Sequence, residues 1–199
     1  MRTNKMLCSQ NGESVQSFSV SVNDNDSFMC SSSDRVFDDV IGVKVCPVCH
    51  YRTNFDFVNQ NFTIKRKIYD LSATYDGYYI ASLKFKETID REGIAGITFV
   101  AISREPEYFA MFVSNMVSFD TEKRKSKAEK YCSACGNYES FVGATPAFLR
   151  ESPSFDLSRT DVAFGSGNAK HPLLIASECF VSLVKREKLK GLYFEQTRT

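Results

Sequence analysis

Four cysteines carry the clearest chemistry in this chain: Cys46 and Cys49 in CPVCH, and Cys132 and Cys135 in CSACG. Two residues between cysteines let both thiolates of a tight turn reach one ion, and four such sulfurs complete the tetrahedron that Zn²⁺ prefers. Pro47 stiffens the first turn. Gly136 follows the second, where a residue without a side chain can take a positive φ, and His50 stands in the corresponding place of the first. Two pairs are a much stronger signal than one, but 82 residues separate Cys49 from Cys132, so a shared site must bring distant parts of the chain together. The expectation is one structural Zn²⁺ on Cys46, Cys49, Cys132 and Cys135, with no coordination position left for a reacting water. His50 could replace or supplement a cysteine ligand. CPVCH also matches a c-type haem attachment motif, and CPVC a thioredoxin-like redox pair.

The rest of the chain offers little to a catalyst. It holds two histidines, His50 and His171, and no Walker loop, dinucleotide glycine fingerprint, nucleophile elbow or HExxH. The glycine-rich FGSGN, Phe164 to Asn168, lacks the lysine of a phosphate cradle and reads as a flexible turn. Arg159 and Asp161, placed in the same Ser152 to Asn168 loop, read as a polar pair and more readily as a salt bridge than as catalysts. Met1 to Val40 carries a local charge of −3, with Asp34, Asp38 and Asp39 in a polar stretch, whereas Glu122 to Lys130 carries +3. That basic run precedes the second cysteine pair, which Tyr131 and Tyr138 flank, as a zinc ribbon contacting nucleic acid would require.

Positioning two distant cysteine pairs requires a framework, and the chain spells one twice. Ile80 to Phe99 lies over Ile175 to Phe194 at a shift of 95 residues with eight identities in twenty positions, including Ser82/Ser177, Phe85/Phe180, Arg91/Arg186, Glu92/Glu187 and Gly96/Gly191. In each copy an apolar approach ends at a serine suited to cap a helix, an apolar face follows at helical spacing, and a glycine precedes a strand. The cysteine pairs repeat at a shift of 86, so the nine-residue difference is expected as a loop insertion among Ser152 to Asn168. Gln16 to Val22 alternates as a half-buried strand, Asn23 to Asp39 reads as an acidic loop, Arg104-Glu105-Pro106 as a turn, and Glu107 to Phe119 as a strand. The fold class is therefore α+β: two βαβ-containing halves, 41–119 and 120–199, joined by the zinc, with residues 1–40 adding a strand and an acidic loop.

Composition fits a folded chain with a real core: 199 residues, 43% hydrophobic and 25% charged. The balance of 25 basic against 24 acidic residues names no partner and argues against nucleic acid. No run is long and apolar enough to span a bilayer or serve as a secretory signal, which points to the cytoplasm and away from a membrane. Seven cysteines, four of them in CxxC pairs, suit reduced thiols and metal better than a disulfide framework, leaving Cys8, Cys30 and Cys179 without spacing logic.

The duplicated CxxC, the CSACG knuckle and the closing stretch SRTDVAFGSGNAKHPLLIASECFVSLVKREKLKGLYFE together resemble the double-CxxCG family of bacterial immunity proteins, found with polymorphic and contact-dependent toxins. The resemblance runs from about Ile41 to Glu195 and matches at Cys46, Cys49, Cys132 and Cys135, then at Arg159, Ser177, Phe180, Gly191 and Phe194; it departs at His50, which replaces glycine. It implies a cytoplasmic protein, not an enzyme, that neutralises a cognate toxin C-terminal domain by stoichiometric binding. Asp34, Asp38 and Asp39, or Arg159 and Asp161, are the expected contact residues, and an acidic face would suit a basic nuclease.

Overall fold

Ser82 and Ser177 begin helices, as their positions ahead of an apolar period require. Each hydroxyl accepts from the amide three residues on, Phe85 N and Phe180 N, both at 3.1 Å. Such a cap contributes about 1 kcal/mol by satisfying an amide that the first turn leaves without a partner. Each hydroxyl also donates to a carboxylate, Ser82 to Asp70 at 3.0 Å and Ser177 to Asp156 at 2.8 Å. Backbone amides of the same serines donate to the carbonyls of the same aspartates, at 2.8 and 2.9 Å.

The computed structural model describes residues 16–198. In chain order the elements are β1 (Ser17–Asp24), β2 (Leu71–Ala73), β3 (Tyr79–Ser82), α1 (Leu83–Glu92), β4 (Ile97–Ile102), β5 (Glu105–Val113), β6 (Met116–Val117), α2 (Thr121–Arg124), β7 (Lys127–Tyr131), β8 (Tyr138–Val142), β9 (Leu157–Ser166), a 3-10 turn (Gly167–Ala169), β10 (His171–Ser177), α3 (Glu178–Arg186) and β11 (Leu192–Gln196). This is a mixed α+β fold in which the strands form one sheet. Its order is β4-β5-β3-β2-β1-β10-β9-β8-β7, with β11 added to β1 and β6 to β9.

The β2–β3 and β9–β10 hairpins share part of their register. Leu71 faces Ala81 as Leu157 faces Ala176, and Ser72 faces Ile80 as Ser158 faces Ile175. β5 lies between β3 and β4, antiparallel to both, while β1 lies between β10 and β11 in the same manner. Thus β1, from the start of the chain, completes the sheet around the last helix, and its end runs parallel to β2.

Alternation along the strands separates two faces. Tyr79 and Ala81, with Leu174 and Ala176, join Phe85, Ile89, Phe180, Val181 and Val184 in one core beneath both helices. Ile80 and Ile175 point the other way, into two further cores covered by non-helical segments: Met29, Phe62 and Ile64 over the first, Phe119, Ala147 and Leu149 over the second. Where α1 and α3 end, they exchange ion pairs: Arg91 with Glu187 at 2.9 Å and Arg186 with Glu92 at 2.8 Å.

Some expectations change. The Ser152 to Asn168 stretch is largely strand, so Arg159, Asp161 and most of FGSGN lie in or beside β9, not in a loop. β9 has ten residues against three in β2, so the extra length enters as a longer hairpin with β10. Ser158, Thr160 and Phe164 are buried, and the alternation through Thr160, Val162 and Phe164 explains why a Ser- and Gly-bearing segment is a strand. Glu105 and Pro106 belong to β5, with the turn one step earlier. Part of the acidic loop is buried: Asp76 accepts the amides of Met29, Cys30 and Ser31 at 2.8, 2.8 and 3.0 Å and holds that segment against the sheet.

Candidate metal centre

Both cysteine pairs sit in turns with the same backbone bonds. In the first, Cys46 N donates to Tyr51 O at 2.9 Å and His50 N to Cys46 O at 3.0 Å, within a short antiparallel bridge of Val45 and Arg52. The second forms the tip of the β7–β8 hairpin, where Cys132 N donates to Asn137 O and Gly136 N to Cys132 O, both at 2.8 Å. The residue after each pair is left-handed: φ is 60° at His50 and 73° at Gly136. His50 therefore does the backbone work of a glycine while its side chain stays exposed, outside the thiol cluster.

The turns face each other. Cys46 Sγ lies 3.8 Å from Cys132 Sγ, Cys49 Sγ lies 3.6 Å from Cys135 Sγ, and all four sulfurs fall within 4.8 Å of one another. These distances are far beyond a disulfide bond, and the four cysteines are free thiols. With metal–sulfur bonds of about 2.3 Å, a regular tetrahedron has edges of about 3.8 Å, so the cluster has the dimensions of a four-thiolate metal site. Cys46 and Cys132 are buried, Cys49 and Cys135 partly so. Hydrogen bonds from the amides of Cys49 and Val48 draw the Cys46 thiol down to about 6, whereas burial pushes Cys49 up to about 12. Four sulfurs this close cannot all ionise unaided, and a bound divalent cation would supply the charge that lets them.

Lys170, only 8% exposed, ties the two turns together. Its ammonium donates to Tyr138 O beyond the second pair and lies 5.9 Å from the ring centre of Tyr51 beyond the first. Burial lowers its proton affinity, and the Cys49 and Cys135 sulfurs act in the opposite sense. A buried cation here would offset the negative charge that four thiolates retain around a divalent ion.

A second buried network stands beside the site. Arg52 Nη1 lies 3.0 Å from Cys30 Sγ and 3.8 Å from Asp76, Nη2 donates to Asp76 O at 2.9 Å, and the guanidinium covers the Tyr78 ring at 4.5 Å. Arg52 N donates to Asn168 Oδ1 at 2.8 Å, linking the first turn to the β9–β10 connection. Nothing local in the sequence marks Arg52, Asp76 or Lys170, because their side-chain hydrogen-bond partners are 22 to 116 positions away.

The other candidate residues are dispersed. Asp34, Asp38 and Asp39 are exposed, and Asp34 accepts from Ser32 Oγ, which lowers its pKa. Arg159 and Asp161 form no ion pair with each other: Arg159 Nε donates to Val113 O at 2.9 Å, and Asp161 Oδ1 accepts from Phe119 N at 2.9 Å. The basic run forms α2 and β7, a fully exposed edge strand whose Tyr131 rests on Tyr138 with ring centres 5.1 Å apart. His171 opens β10 with Nδ1 3.0 Å from Ala169 O. Cys8 lies outside the described residues, and Cys179, against the expectation of reduced thiols, is disulfide-bonded. Among the described residues no helix is long and apolar enough to cross a membrane.

Comparison with protein-family models and with curated proteins found no match to this chain.

Proposed function

We propose that this chain is an immunity-type binding protein built from two duplicated halves that one structural Zn²⁺ clamps together, acting by stoichiometric capture of a toxin domain and not by turnover. The carrying observation is the cluster itself. Four thiols from turns 86 positions apart meet at tetrahedral spacing, and these are the residues through which the sequence resembles the double-CxxCG immunity proteins. Four thiolates on one Zn²⁺ leave no position for substrate, so the metal serves stability.

The reciprocal contacts support the duplication. Arg91–Glu187 and Arg186–Glu92 exchange like residues, as across a two-fold axis, and Cys46–Cys132 and Cys49–Cys135 join like residues directly. A rigid frame of this kind presents exposed segments to a partner. Asp34, Asp38 and Asp39 are exposed as the proposed contact surface requires, and their charge would speed association with a basic toxin domain. The proposed setting is the cytoplasm.

Affinity capture of the tagged chain from its native cells, with metal analysis of the eluate, tests this reading. The expected result is one Zn²⁺ per chain and a stoichiometric protein whose C-terminal domain arrests growth alone but not when co-expressed with this chain. The exposed basic strand β7 favours a second reading, a zinc-ribbon nucleic-acid binder. Recovery of nucleic acid that salt displaces, without such a protein, would overturn the immunity reading in its favour.

A further inference from the structure

Where the two halves differ, a cavity opens. The longer β9–β10 hairpin has no counterpart in β2–β3, and its added residues form one wall of a cleft of about 620 Å³; β5 and the start of β8 form others. That volume lies in the range of small-molecule sites, and the lining is chiefly apolar and aromatic, with Tyr79, Phe112 and Phe141 among its residues. Arg159 supplies an unspent cation. Its Nε and Nη1 go to the carbonyls of Val113 and Thr160, which fixes the guanidinium and leaves Nη2 without a partner among the described residues. No carboxylate there lies within ion-pair distance of Arg159, and Asp161, which also lines the cleft, is turned to the amide of Phe119. His171, with Nδ1 held by Ala169 O, faces the same space with Nε2 available.

We propose that this cleft is a binding site for a small amphipathic organic anion, with an aromatic or aliphatic body against Phe112 and Phe141 and a carboxylate, sulfonate or phosphate on Arg159. The anion is favoured over a neutral ligand because a fixed guanidinium with a free edge forms charge-assisted bonds, while the walls gain by excluding water from an apolar body. The site is independent of the metal reading, since none of the groups that hold the ligand is a thiol, but it assigns Arg159 to a small ligand where the resemblance implied a toxin contact.

Two dyes of similar shape separate the contributions. The full chain is titrated with anilinonaphthalene sulfonate, an aromatic anion, and with phenylnaphthylamine, its neutral relative. The expected result is saturable fluorescence at one sulfonate dye per chain. Arg159→Gln should weaken that dye roughly tenfold, the loss expected of one charge-assisted hydrogen bond, and leave the neutral dye nearly unchanged. Because Arg159 also anchors Val113, Ala163→Trp is the second variant: Ala163 lines the cleft and is exposed, so the indole should fill the space without disturbing the core and weaken both dyes. Circular dichroism confirms that each variant is folded, since loosened proteins bind such dyes non-specifically. Absence of saturable one-to-one binding, equal loss of both dyes in Arg159→Gln, or no effect of Ala163→Trp would each overturn the proposal.

Discussion

At the scale of single residues, His50 and Lys170 separate backbone work from ligand chemistry. His50 takes the left-handed conformation that Gly136 takes in the other turn, and its imidazole stays outside the thiol cluster. A side chain in that conformation costs about 1 kcal/mol, partly offset by the greater entropy that glycine loses on folding. His50→Gly should therefore keep one metal per chain and raise stability by about 0.5 kcal/mol in urea denaturation; a fall in metal content would make His50 a ligand after all. Lys170 acts through charge. Lys170→Met should speed the loss of metal to a competing chelator roughly tenfold, as removal of outer-shell partners does elsewhere, while Lys170→Arg restores much of the difference. If Met and Arg behave alike, Lys170 is a packing residue only. The cysteines could be recognised from sequence because their signal is local, two residues within one turn. Lys170, Arg52 and Asp76 could not, because each acquires its role only when segments far apart in the chain are folded together.

At the scale of elements, helices and strands with a strong period were legible, and those whose identity depends on neighbours were not. Ser82 and Ser177 announced α1 and α3 because a cap, an apolar face and a terminal turn all agree within a dozen residues. β9 was hidden because Gly165, Ser166 and Gly167 suggest a turn, whereas pairing with β8 and β10 on its two sides supplies the hydrogen bonds that make it a strand. The caps make a directional prediction. Ser82→Ala and Ser177→Ala should each cost about 1 kcal/mol in urea denaturation. Aspartate, ordinarily as good a cap, should not rescue either position: the native hydroxyls donate to Asp70 and Asp156 at 3.0 and 2.8 Å, so a new carboxylate would face an existing one. Rescue by aspartate would show that these carboxylates swing away at no cost.

At the scale of the molecule, the strand order ties the chain's beginning to its end. β1 lies between β10 and β11 and continues along β2, so the segment that opens the described chain completes the sheet of the last helix while touching the first hairpin. One core holds residues from both helices, and Arg91–Glu187 and Arg186–Glu92 close the surface above it. The thiol cluster, the candidate metal site, brings distant parts of the chain together a second time, at Cys46–Cys132 and Cys49–Cys135. If the metal alone held two autonomous halves, chelation would release them to melt separately. The interleaved strands require another outcome: the chelated chain stays folded at moderate temperature and melts in a single transition, but at a lower midpoint. For a chain of this length each kcal/mol lost lowers the midpoint by about 2–4 °C, so losing several kcal/mol of metal binding should lower it by roughly 10 °C or more. Calorimetry with and without chelator checks this through the ratio of van't Hoff to calorimetric enthalpy, which should remain near unity in both states. Two resolved transitions, or a protease-resistant half that folds alone, would show that the metal, and not the shared sheet, unites the molecule.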